Sequence, residues 1–448
     1  MNKYIKASKE LLNFIDNSPS CYHVIDNLKK MLKDFTKLNE NDNCVLEAGK
    51  GYYITRNSSS LIAFYIPKAG ELSKIKGFNI CAAHSDSPSF KIKPNALIET
   101  EKHYYTLNVE KYGGMLMAPW MDRPLSIAGR ILFDSKDGIF QKLINIDRDL
   151  LIIPNVAIHM NRDANNGYKY NPQKDMLPLF SLSDHPDITN DVPTTPKSNR
   201  ISQTKRDLFM DMVAKEAGIE SSSILGSDLF LYNRVKGTLL GLNNEMIAAR
   251  ALDDLQCAYS ITQGFIKGVH KAFSHIPVCC IFDNEEVGSL TKQGADSTFL
   301  YDTLKRISLS IHTDKELSNL LTDSFMISAD NAHAVHPNHP EYADPTNRPY
   351  LNGGIVIKYN ANQKYTTDAC SEARLKALCK KASIPYQEYT NRSDIAGGST
   401  LGNLSNRHIS INTVDIGLPQ LAMHSSYETG GSMDTLYMIN LIKEYVAS

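Results

Sequence analysis

Long apolar runs are missing from this chain of 448 residues. The longest, such as 278–282, fall far short of the ~20 residues that a membrane helix needs, so no span is expected. The first twenty residues alternate charged and apolar side chains, and they lack the continuous apolar stretch of about 7 to 15 residues that directs secretion. Cysteine is sparse. The eight present, Cys21, Cys44, Cys81, Cys257, Cys279, Cys280, Cys370 and Cys379, form no Cys-x-x-Cys pair. They read as reduced, mostly buried thiols of a cytoplasmic protein, and thiolate ligation of zinc is disfavoured, which leaves any metal to histidines and carboxylates. An excess of one charge is also absent: 48 Lys plus Arg stand against 49 Asp plus Glu. No global basic field exists to hold nucleic acid or an anionic membrane. Repeats and low-complexity tracts are lacking too, which excludes solenoids and stalks.

What is present fits a globular enzyme, with 42% apolar and 22% charged residues. Single cores stop growing at roughly 250 to 300 residues, so two structural units are expected. The segment 4–15 places Ile5, Leu12 and Ile15 on one helical face, and Asn17-Ser18-Pro19-Ser20 ends it. Apolar runs at 61–66, 78–83, 277–282, 325–329, 355–359 and 409–414 read as strands. Between them, Ala251, Leu255, Ala258, Ile261 and Phe265 recur at helical spacing, as do Leu436, Ile439, Ile442 and Val446 behind a candidate N-cap, Ser432. This alternation predicts a mixed α/β sheet covered on both faces. Residues 95–241 have a different texture, with β-like runs at 105–109, 125–133 and 150–158 and a polar, Pro-rich loop at 165–200. We therefore expect a β-rich domain, 95–241, inserted into an α/β domain made of 1–94 and 242–448.

Acids and histidines gather at the ends of the expected strands, where an α/β sheet collects ligands. Five stretches carry them. In His84-Ser85-Asp86, His84 is a candidate ligand and Asp86 an acceptor that fixes its tautomer; a surface loop histidine is the plainer alternative. Asp253-Asp254 opens a helix and could simply cap it. Glu285-Glu286 follows a strand; on an extended backbone the two side chains point oppositely, so one can hold metal while the other handles the proton of an attacking water. Asp330 is followed by His333, His336 and His339 within ten positions, a density of imidazoles that a solvated loop rarely shows. His424 stands alone in the stretch from Gln420 to Glu428. Jointly they offer two His, two Asp and one Glu as ligands with a further Glu left free. That set suits a two-metal hydrolase, in which one carboxylate bridges ions ~3.5 to 4 Å apart.

These stretches, with Ser18-Pro19-Ser20 and His23, run through nearly the whole chain and resemble the aspartyl aminopeptidases, relatives of vacuolar aminopeptidase I among the metallo-aminopeptidases. The run Ala332-His333-Ala334-Val335-His336-Pro337-Asn338 is the specific part. The resemblance implies a zinc-peptidase fold with two divalent ions per subunit, zinc foremost, with cobalt or manganese tolerated by the same ligands. It implies that His84 and Asp330 ligate different ions from those of their respective partners, that Glu286 and His424 complete the shells, that Asp253 bridges and that Glu285 is the general base. Asp254 stands where the family usually has Asn, so two carboxylates compete for the bridging place; the flanking leucines assign it to Asp253. A cis bond between Asp253 and Asp254 is implied as well. His333 and His336 match residues near the substrate, Lys358 a lysine facing an acidic first side chain, and His159 a histidine that enters a neighbouring subunit's site. The family's insert serves assembly into a tetrahedral dodecamer acting on short peptides. The expected activity is removal of N-terminal Asp or Glu. The alternatives are a neutral or broad aminopeptidase on the same scaffold and a metal-free scaffold or cargo-binding homologue.

Overall fold

Alternation builds the central sheet. In the strand Ser60–Tyr65, Leu61, Ala63 and Tyr65 enter one apolar cluster while Ile62 and Phe64 enter another; in His275–Phe282, Cys279 and Ile281 part in the same way from Val278, Cys280 and Phe282. Side chains on successive strand residues point to opposite faces, so strands apolar at both parities are buried on both. The computed structural model describes residues 2–448 apart from 43–44, 183–205, 273 and 312–314. Nine strands form this sheet, in the spatial order Thr36–Leu38, Gly51–Arg56, Ser60–Tyr65, His275–Phe282, Gly77–His84, Phe325–Ala329, Asn412–Gly417, Ile355–Lys358 and Tyr386–Tyr389. The middle four, from His275–Phe282 to Asn412–Gly417, run parallel. Their carboxyl ends therefore open on one edge, and the polar residues gather there.

Helices Lys3–Asp16, Cys21–Met31, Leu252–Gly268 and Asp434–Val446 supply one of the two clusters, and Phe299–Ser310, Leu317–Thr322 and Leu401–Ser405 supply the other. Leu252–Gly268 and Asp434–Val446 approach so closely that a Cβ on Gly264 would lie 2.7 Å from the carbonyl oxygen of Ile439. A smaller sheet, Thr238–Leu240, Met246–Ala249, Glu428–Gly431, Pro419–Leu421 and Ala332–His333, carries further residues of the polar edge.

Two compact units emerge, Met1–Ser87 with Lys236–Ser448, and Pro88–Val235. Both junctions lie upstream of the expected ones. The strand Ser89–Thr100 runs through the expected boundary, and its pairing with Tyr104–Tyr112 shifts register between Ile92 and Leu97, around Pro94, which has no N–H to give the ladder. The second unit is a six-stranded antiparallel sheet, in the order Gly138–Asn145, Leu125–Ser135, Ile224–Asn233, Ser89–Thr100, Tyr104–Tyr112 and Leu179–Leu182, with Phe209, Val213 and Ala217 of helix Arg206–Ala217 in its core.

Four local expectations fail in whole or in part. Residues 150–158 make isolated bridges at Leu151 and Ile152 and no strand, because Pro154 lacks a donor and the Asn155 N–H turns to the Asp122 carboxylate, 2.9 Å away. The strand expected at 409–414 is Asn412–Gly417: the Ile409 N–H closes on the Ser405 carbonyl and the Ile411 N–H on the Asn406 side chain, so the chain is still turning there. The last helix starts at Asp434 with Met433, not Ser432, as its N-cap. Of the loop expected at 165–200, residues 179–182 are a strand and 183–200 lie outside the described residues.

Candidate metal centre

His84 ends a central parallel strand and is fully buried. Its Nδ1 lies 3.1 Å from the Asp86 carbonyl oxygen and 3.4 Å from Asp86 Oδ1, which leaves Nε2 to face Asp253 Oδ1 at 3.4 Å and Asp330 Oδ1 at 3.8 Å. The expected tautomer-fixing acceptor is thus nearer through its carbonyl than through its side chain. The Asp86 carboxylate is occupied by accepting the backbone N–H groups of Glu285, at 3.1 Å, and Glu286, at 3.2 Å.

Glu285 and Glu286 do not lie on extended backbone. Asn284, in the left-handed region, turns the chain into a 3₁₀ turn, Glu285–Val287, which Asp86 holds from below. The turn still separates the two side chains. Glu285 lines a cavity of about 330 Å³ with Asp330, Lys358, Tyr365, Thr400 and His424, whereas Glu286 Oε2 reaches His424 Nε2 at 3.4 Å.

Asp253 and Asp254 open Leu252–Gly268 with non-helical dihedrals and a cis bond between them, while the N-cap is Ala251 and the cap carries no side-chain hydrogen bond. Asp253 lies between the imidazoles, 3.4 Å from His84 Nε2 and 3.5 Å from His424 Nε2. Asp254 accepts the His84 backbone N–H at 3.2 Å. Three overlapping groups of ligand-type atoms result among the described residues: His84 with Asp253, Asp254 and Asp330, His84 with Glu285 and Glu286, and Asp253 with Glu286 and His424. Asp253 belongs to the first and the third, with one carboxylate oxygen toward each imidazole.

Two residues received no role from the sequence. Glu428, buried, accepts the His424 N–H at 2.7 Å on one oxygen and the Asp253 N–H at 3.0 Å on the other. It ties together the backbones of two candidate ligands, one of them, His424, in the left-handed region. Its place four residues after His424, before Gly430-Gly431, was the available signal, and a buried glutamate cannot be told from an exposed one by spacing. Asp415 was missed for the same reason: buried, it accepts from Thr366 and Thr400 and so fixes two loops of the cavity wall.

Charge is unbalanced. Burial pushes Glu285 up to about 8, with Asp330, Asp86 and Asp253 adding to the shift against His84. Burial likewise raises Glu286 and Asp254 well above the carboxylate range, each helped by Asp253. Burial opposes charge on His84, but Asp253 and Asp254 raise its pKa well above the usual imidazole value. Meanwhile His84 Nε2, Asp253 Oδ1, Asp254 Oδ1 and Glu286 Oε1 are buried without hydrogen-bond partners. Orphaned polar atoms of this kind are costly, and divalent cations would satisfy the acceptors and offset the carboxylate repulsion. The donor set of imidazole and carboxylate, without thiolate, fits zinc.

Lys358 ends the strand Ile355–Lys358, buried, with Nζ 3.3 Å from Asp330 Oδ2 and 5.4 Å from the Tyr365 ring centre. Burial opposes its charge, yet Asp330 holds its pKa above the ordinary lysine value. His333 lines the same cavity, its pKa lowered by burial and by Lys358. His336 is exposed and lines an adjoining cavity instead. His159 sits on an exposed turn of the second unit. The seven described cysteines are free and five of them are buried; Cys44 lies outside the described residues. Among the described residues, no helix is long and apolar enough to cross a membrane.

Residues 14–446 match the family model for aminopeptidase I zinc metalloprotease (M18). The chain belongs to the M18 metallo-aminopeptidases. It is thus a hydrolase acting on peptides, on a scaffold of α/β class. It is 44% identical to a probable M18 family aminopeptidase 2 of Clostridium novyi over 450 residues, covering 99% of both chains. It is 37% identical to the aspartyl aminopeptidase of Dictyostelium discoideum, covering 99% of this chain and 97% of that protein. Among solved structures, Ape4 in its complex with Nbr1 superposes with a TM-score of 0.92 at 34% identity, covering 100% of this chain and 87% of that one. The mApe1 dodecamer of S. cerevisiae does so at 0.84 and 26%, covering 99% and 97%.

Proposed function

We propose that this M18 enzyme removes N-terminal aspartate or glutamate from peptides at a centre of two divalent ions. In this reading His84 and Asp330 would hold one ion, Glu286 and His424 would hold the other, and Asp253 would serve both, because its Oδ1 lies 3.4 Å from His84 Nε2 and its Oδ2 3.5 Å from His424 Nε2. Zinc is the family's metal; cobalt and manganese suit the same donors. Bound there, the ions supply Lewis-acid polarisation of the scissile carbonyl and acidify the attacking water. Glu285, whose carboxylate lines the cavity, takes the proton of that water and passes it to the departing amine. Asp86 holds the Glu285–Glu286 turn by its two N–H acceptances, so the base and the metal ligand keep their separate directions. His333 borders the substrate within the same cavity, and His336 stands just beyond it.

The observation that carries acid selectivity is the Lys358 ammonium, buried in the wall of the cavity that also holds Glu285 and Asp330. A substrate side-chain carboxylate there accepts a charge-assisted hydrogen bond, which a neutral side chain cannot. The aspartyl aminopeptidase activity named for the Dictyostelium relative agrees with this reading. Lys358→Ala should lower kcat/KM for aspartyl-anilide more than for leucyl-anilide by about 1.5 to 3 kcal/mol, roughly 10- to 150-fold. Equal losses on both substrates would leave a broad aminopeptidase; a metal-free, inactive protein on elemental analysis would leave a scaffold.

We further propose that the unit Pro88–Val235 serves assembly into a tetrahedral homododecamer, with His159 entering a neighbouring copy's site. Val156, Ile158 and Met160, all exposed around His159, suit a surface that another copy covers. The mApe1 homologue is a dodecamer by its own description. We also propose a cytoplasmic location, which the seven free cysteines among the described residues suit.

A further inference from the structure

Beside the cavity at the metal centre lies a second one of about 510 Å³ that the proposed chemistry leaves unused. The two share His333, Tyr389 and Gly398 in their walls, so one continues into the other. Their linings differ. The first presents carboxylates and an ammonium, whereas the described residues lining the second include no carboxylate. It presents rings instead: Tyr342 lies stacked on His339, centres 5.3 Å apart and planes 17° apart, and the His336 ring is 5.3 Å beyond His339. The turn that carries Tyr342 is held by two guanidinium groups. Arg348 donates to the carbonyl oxygens of Asp344, at 2.9 Å, and Pro340, at 3.1 Å, and Arg392 donates to that of Glu341. Tyr342 is 65% exposed, so the rings form a fixed platform with an open face.

We propose that this second cavity binds the second residue of the substrate peptide and selects an aromatic side chain there. The identity of the occupant rests on the aminopeptidase reading above. A first residue enclosed against Lys358 hands the rest of the peptide to the adjoining space, and a ladder of three rings, whose carboxylate partner Glu341, 3.1 Å from His339 Nδ1, is not among the lining residues, favours an aromatic side chain by offset stacking and apolar burial. The preference is set by Tyr342 and His339, which have no part in the proton transfer or the metal centre.

Binding is read by titration calorimetry on the full-length, metal-loaded Glu285→Gln protein, which holds peptides without cleaving them. Asp-Phe-Ala is compared with Asp-Ala-Ala, and Leu-Phe-Ala with Leu-Ala-Ala. The Phe peptide of each pair should bind about tenfold more tightly than its Ala counterpart. Tyr342→Ala, on the same background, should shrink that ratio to within about threefold. If acid selectivity is wrong, the Asp pair will bind no better than the Leu pair while the Phe preference persists. If the subsite is wrong, because a neighbouring copy covers it or the peptide leaves elsewhere, Phe and Ala peptides will bind alike in both pairs, or the preference will survive Tyr342→Ala.

Discussion

The two units handle polarity in opposite ways. In the unit Met1–Ser87 with Lys236–Ser448, ionisable groups go inside: His84, Asp86, Asp253, Asp254, Asp283, Asp330, Lys358, Asp415, Glu428 and Asp434 are all buried. Among the described residues of Pro88–Val235 the buried polar side chains are Ser126 and Asn233, while Leu116, Ile139, Val156, Ile158 and Met160 are exposed. Burying a charge is expensive unless it is paired or bound, so the first pattern is kept where it performs chemistry. Exposed apolar side chains grouped along one segment are kept where another surface covers them. On the proposed reading, one unit carries the cost of a reactive site and the other that of an interface.

The sharpest way to break that contrast is at adjacent residues. Glu285→Gln should retain metal, read by elemental analysis, and lose turnover by about 10² to 10⁴. Glu286→Ala should lose metal. The reverse pattern would exchange their roles and undo the assignment of Asp86 as the residue that keeps them apart. A slightly smaller loss, about 10² to 10³, is expected for His159→Ala if the second unit lends a hydrogen-bond donor to a partner's site. Mixing His159→Ala subunits with Glu285→Gln subunits should then recover activity, and proven exchange without recovery would confine chemistry to the first unit.

Glu428→Gln probes a buried carboxyl group that holds candidate ligands without being one. Its amide can accept only one of the two N–H groups, so metal affinity, read by competition with a chelator, should fall about 10- to 100-fold. Unchanged affinity would make the His424 and Asp253 backbones self-sufficient. The smallest effect on folding belongs to Met160→Asp, at 82% exposure: stability of the fold should change by no more than about 0.5 kcal/mol, while the particle mass seen by light scattering should fall. Retention of full mass would mean that this face stays in water.

The sequence was most legible where local physics suffices. Apolar runs of both parities announced the central strands, since only a sheet covered on both faces buries them. Strand ends rich in His, Asp and Glu announced the cluster of candidate ligands, because parallel strands deliver their carboxyl ends to one edge. The reading failed where a backbone group chose a distant or unexpected partner, as Asn155 chose Asp122, or where a turn replaced an extended run, as at Glu285.

By itself, then, the chain determined which residue types would meet at the candidate metal centre, since their spacing after strands is written in one dimension. Only tertiary structure decided that Asp253 faces both imidazoles while Asp254 is taken by the His84 N–H, that Glu428 ties Asp253 to His424, and that Lys358 is buried beside Asp330. Each of these depends on contacts between residues tens to hundreds of positions apart or on a turn's exact sense, and neither propensity nor periodicity carries that information.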